Sequence, residues 1–114
     1  MKRTLLIVAI VGAALVAVPA QAGPRKSVGV YDNYYLPAKA TLKPNTTVTW
    51  RWPADGGGDV HDVKLKKAPA GAKKFQSDPG SAGYTYRYTL KKPGKYSFVC
   101  TFHEEMTMSL TVKK

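Results

Sequence analysis

The chain is 114 residues long and carries 18 Lys and Arg against seven Asp and Glu, a formal net charge of +11. That length excludes a multi-domain enzyme, and ordinary shares of apolar (44%) and charged (22%) residues exclude wholesale disorder. One cysteine and two histidines exclude a disulfide framework and a zinc-finger array.

The first 22 residues read as an address. Lys2 and Arg3 precede an apolar run from Leu5 to Val18, closed by Pro19 and followed by Ala20-Gln21-Ala22. This order predicts a secretory signal peptide cleaved after Ala22. An uncleaved anchor is the weaker alternative, because the run is shorter than the roughly 20 residues a bilayer needs. Cleavage would leave one domain, residues 23–114, in the periplasm or outside the cell, with no stable membrane insertion. Two of the eighteen basic residues go with the leader, so 16 positive against seven negative groups leave +9.

The remainder predicts short strands broken by turns. Val28 to Tyr31 and Tyr34 to Leu36 come first. Lys43-Pro44-Asn45 fits a type II turn, Pro presetting one central position and Asn tolerating positive φ at the next. Thr46 to Trp52 alternates, with Val48, Trp50 and Trp52 on one face. Asp55 to Asp59, with three glycines, is a loop. His61, Val63 and Leu65 then face one side, and Asp62, Lys64 and Lys66 the other. Ala68 to Ala82 reads as a surface excursion. Tyr84 to Leu90 and Tyr96 to Cys100 alternate on either side of a second turn, Lys92-Pro93-Gly94, and a last strand covers Ser109 to Val112. Seven or eight strands and no sustained helical period predict an all-β, antiparallel sandwich.

A lone cysteine in an exported protein is exposed to oxidation. Buried and structural is its bland explanation, but its neighbours favour another. His103 lies three residues after Cys100 and Met106 three beyond that, while the other histidine, His61, stands on a distant strand. A turn after Cys100 would bring His103 back beside it and Met106 to the next strand. A thiolate, two imidazoles and a thioether suit copper, and a His-Cys-His set with a weak axial Met is the blue-copper arrangement for one-electron transfer. Zinc would gain little from the thioether. Met108, two residues further on and facing the same way by strand alternation, is the other candidate for that thioether.

On these residues the chain resembles the small cupredoxins of the plastocyanin, amicyanin and pseudoazurin type. The likeness runs through Lys43-Pro44-Asn45 with Val48-Thr49-Trp50, through His61-Asp62-Val63, and through Pro93-Gly94-Lys95-Tyr96-Ser97-Phe98-Val99-Cys100-Thr101-Phe102-His103. The short Cys-to-Met spacing is similar to that of amicyanin. The resemblance implies a Greek-key β-sandwich of about eight strands. It also implies one type 1 Cu(I)/Cu(II) ion near one end, bound by His61, Cys100, His103 and Met106, with His103 as electron port. Four positions depart from the family pattern. Asn45 replaces a turn glycine, and Asp62 stands where many relatives have an Asn that helps tie the two ligand loops, a role that would have it accept a hydrogen bond from Thr101. Phe102 replaces a loop proline, and Val99 replaces the exposed tyrosine of plastocyanins.

Nothing in the sequence supports an enzyme. There is no nucleophile–base arrangement or paired-carboxylate site, and the triple glycine lacks the tail of a phosphate loop. The lysines scatter through turns and exposed strand faces instead of forming an aromatic-studded stripe, so nucleic acid is not an expected partner. The expected function is a monomeric carrier of single electrons between envelope redox proteins. Its positive charge would favour partners with an acidic docking surface. Copper storage or delivery without redox turnover is the alternative.

Overall fold

A computed structural model describes residues 23–55 and 58–114; the leader read at residues 1–22 lies outside the described residues. Eight strands form: β1 (Arg25–Tyr31), β2 (Tyr34–Leu36), β3 (Lys39–Leu42), β4 (Thr46–Arg51), β5 (Lys64–Lys67), β6 (Thr85–Leu90), β7 (Gly94–Cys100) and β8 (His103–Val112). They make two four-stranded sheets, ordered β2-β1-β4-β6 and β3-β8-β7-β5. The expected Greek-key sandwich is therefore present, and no helix occurs among the described residues.

The sandwich is not wholly antiparallel. β1 pairs with β4 and β3 with β8 in parallel. After β2 the chain leaves the first sheet, adds β3 to the edge of the second, and returns as β4 beside β1. Parallel neighbours require such a crossover, and local alternation carries no trace of it. β3 is also a strand the sequence pattern did not announce.

Alternation fills the core. Met106, Met108, Leu110 and Val112 of β8 point inward and are buried, whereas Thr107 is exposed and Ser109 and Thr111 are half-buried. Trp50 of β4 is fully buried, with its ring centre 5.3 Å from that of Phe98 and 5.9 Å from that of Tyr86. Truncating an aromatic at such a position costs about 3–5 kcal/mol.

Two turns close the end where β4 and β7 begin. Asn45 takes φ 68°, as the turn reading requires. Its N–H donates to Leu90 O at 2.8 Å, and the Thr46 hydroxyl donates to Lys43 O at 2.6 Å. Gly94 takes φ 138°, and a Cβ there would run into the Pro69 ring. This end needs left-handed backbone, which Asn and Gly supply.

Candidate metal centre

The opposite end brings together three of the residues singled out in the sequence, His61, Cys100 and His103. β7 ends at Cys100, Thr101-Phe102 reverse the chain, and His103 opens β8 directly across from Cys100. Phe98 faces Met108 and Val99 faces Thr107, but the register shifts between Val99 and Cys100. The shift is a bulge: it leaves Glu104 and Glu105 exposed and returns Met106, 1% exposed, to the buried face. Thus β8 begins six residues before the predicted Ser109. Its first turn, polar in composition, belongs to the site.

Cys100 Sγ lies 3.8 Å from Nδ1 of His61 and 3.7 Å from Nδ1 of His103. All three donor atoms fall within 4.8 Å of one another. Cys100 is fully buried, His61 is 2% exposed, and His103 is half-buried. A sulfur and two ring nitrogens facing one another in a largely buried cluster fit a thiophilic ion. The chemistry of the donor set selects copper.

His61 is not held by a regular strand. β5 starts only at Lys64, and His61 makes an isolated bridge to Gly80. Its N–H donates to Gly80 O at 2.9 Å, and its carbonyl accepts Gly80 N–H at 3.0 Å and Trp52 Nε1–H at 3.3 Å. Two residues on, Val63 N–H donates to the Ser77 hydroxyl at 2.9 Å, and Ser77 N–H donates to Val63 O at 2.9 Å. The 68–82 segment, expected as a surface excursion, is in part a clamp on this ligand. Ser77 is buried within it, and Phe75 stacks on Tyr88 at 3.7 Å.

Asp62 corrects another expectation. Alternation set it on the outward face with Lys64 and Lys66, yet it is 1% exposed. Without strand geometry before Lys64, its side chain turns in and ties the two ligand loops together. Oδ1 accepts Thr101 N–H at 2.7 Å, while Oδ2 accepts the Thr101 hydroxyl at 2.6 Å and Gln76 Nε2–H at 3.0 Å. The bond expected from Thr101 is formed twice over. Charge-assisted bonds of this kind are the stronger ones.

Two residues near the site were missed in the sequence. Tyr35 of β2 donates its hydroxyl to Asp62 O at 2.5 Å. Burial first, then the nearby Cys100 and Asp62 charges, raise its phenol far above the usual tyrosine range. Asp32 sits in the two-residue turn between β1 and β2, with Oδ1 2.9 Å from His61 Nε2. Asp-Asn between two apolar runs was a readable hairpin signal, but nothing in it said which ligand the turn would overhang.

The fold and the donor set together define a copper-binding cupredoxin. Residues 27–113 match the model of the copper binding proteins of the plastocyanin/azurin family, and the chain belongs to that family. It is 36% identical over 73 residues to the halocyanin of Natronomonas pharaonis, an alignment covering 63% of this chain and 42% of that protein. Among solved structures it is similar to the amicyanin of Paracoccus versutus, with 28% identity, a TM-score of 0.64, and 85% and 86% of the two chains covered. The copper-containing nitrite reductase of Thermus scotoductus shares the fold, at 24% identity and a TM-score of 0.65. There the match covers 80% of this chain and only 22% of the reductase.

Proposed function

We propose that this protein is a blue copper electron carrier in which His61, Cys100, His103 and Met106 would hold the ion, Met106 through its thioether. One observation carries the reading: the sulfur of Cys100 faces Nδ1 of both histidines in a largely buried cluster. Copper supplies one-electron cycling between cupric and cuprous states. The chain supplies a cage that two tied loops keep from rearranging. The burial of Met106 beside the bulge supports it over Met108, which lies opposite Phe98 in the core.

His103 is the exit proposed for the electron. It is the more exposed of the two imidazoles, and the apolar Phe102 beside it is 51% exposed. Export through residues 1–22, cleavage after Ala22, and a monomer working among periplasmic or extracellular redox proteins complete the proposal. The net charge of the processed chain supports partners with acidic docking surfaces. No part of the reading requires an enzyme, a membrane span or nucleic acid.

The test is the visible spectrum of the purified protein with copper(II). An intense thiolate-to-copper absorption, abolished in Cys100→Ser, is expected. Met106→Leu should keep the colour and raise the potential, while Met108→Leu should change neither. A pale, weakly absorbing complex would instead identify a storage or delivery protein.

A further inference from the structure

Two carboxylates touch the ligand framework, and only Asp62 has a purely structural account. It ties Thr101 and Gln76 to the segment that carries His61. Asp32 ties no loop. Among the described residues its carboxylate bonds to His61 Nε2, at 2.9 Å. The imidazole is 2% exposed and the aspartate 35%, so the carboxylate reaches a buried ring from the rim.

The position of Asp32 is built into the fold. Tyr31 pairs with Tyr34 across the two-residue turn, their rings stack at 5.1 Å, and Asn33 takes φ 73°. An imidazole that binds a metal through Nδ1 keeps its proton on Nε2, and a carboxylate accepting that proton fixes the tautomer and strengthens the ring as a donor. A stronger donor beside a fixed negative charge stabilises the higher-charged ion more than the lower. Reduction adds one electron, taken from a reduced redox partner, and converts the cupric ion to the cuprous. The Asp32 charge opposes that gain.

The geometry points to Asp32 as a positioning residue that locks His61 with Nδ1 toward the metal and lowers the copper potential below what the four ligands alone would set. This rests on the copper reading above. It makes the protein an electron donor of stronger reducing power than its ligand set implies.

Voltammetry of the copper-loaded protein and its Asp32 variants tests the idea. Asp32→Asn keeps an acceptor oxygen but removes the charge; it should retain the intense absorption and raise the potential. A tenfold loss of cupric over cuprous preference reads as about 59 mV for one electron. Asp32→Ala should raise it as well and weaken copper binding roughly 10–100-fold, and Asp32→Glu should restore much of both. Asp78→Asn, an exposed change of equal charge without contact to His61, should shift the potential less. Equal potentials in Asp32→Asn, Asp32→Ala and the unmodified protein, with absorption intact, would overturn the role of Asp32 alone. Absence of the absorption from the unmodified protein would overturn this role and the copper reading together.

Discussion

The two ends of the sandwich solve different problems with different residues. At the ligand end, backbone that belongs to no ladder is held by side chains: Asp62, Ser77, Trp52 and Tyr35 each bond to a loop group. At the far end, the turns at Asn45 and Gly94 rely on backbone conformation and close packing. The acidic residues divide along the same line. All seven acidic residues, Asp32, Asp55, Asp59, Asp62, Asp78, Glu104 and Glu105, lie on segments that lead into, contact or follow the ligands. Lys43, Lys91, Lys92, Lys113 and Lys114 crowd the far end, where Asn45 bonds to Leu90 and Lys113 to Leu42. The protein is basic overall, and its few acidic residues collect toward the candidate metal centre.

A paired substitution sets the ends against each other. Asp62→Ala removes the acceptor of three hydrogen bonds and should cost roughly 1.5–3 kcal/mol or more. It should also hasten copper release, because the loops of His61 and Cys100 lose their tie. Gly94→Ala places a side chain at φ 138° against Pro69 and should cost about 1–3 kcal/mol, leaving copper retention and absorption untouched. Urea unfolding with and without copper measures both. Equal copper release from the two variants would erase the distinction between the ends.

The next effect is confined to alkaline solution. Tyr35 holds its proton in the folded state far above the ordinary tyrosine range, whereas the unfolded chain releases it at about pH 10. Below pH 10 the group therefore leaves stability unchanged with pH. Above pH 10 the unfolded state binds fewer protons than the native state, so stability falls by up to about 1.4 kcal/mol per pH unit. Tyr35→Phe should lose about 1 kcal/mol at neutral pH with the bond to Asp62, yet show a flatter decline above pH 10. Parallel declines in the two proteins would place the source of alkaline lability elsewhere.

The contrast also explains what could be read in advance. Cys100, His103 and Met106 fall on one hairpin, so their spacing already implies convergence. The far-end turns were equally legible, since Pro44, Asn45, Pro93 and Gly94 act through local backbone preference. Asp32, the inward turn of Asp62, and the clamp formed by Gln76, Ser77 and Gly80 depend on packing between segments distant in sequence. The parallel partners of β1 and β3 were hidden for the same reason. β3 had too few apolar residues to stand out, with Leu42 alone buried on a four-residue strand.

The smallest effect separates long-range attraction from contact at the proposed port. β7 has seven residues and spans roughly 20 Å, about twice the Debye length at 0.1 M salt. The lysines beyond Gly94 are therefore largely screened at His103, while Glu104 and Glu105 directly follow it. Exchange with anionic hexacyanoferrate(III) and with a cationic cobalt(III) chelate reports the local charge by stopped flow. Neutralising both glutamates to glutamine should speed the anion and slow the cation by roughly 2–5-fold at 0.1 M salt. Lys91→Gln with Lys92→Gln should act in the opposite sense, weakly, and chiefly at low salt. Equal sensitivity to the two pairs at 0.1 M would mean that electrons leave by a route other than His103, because only a path near the far end would feel those lysines through the screen.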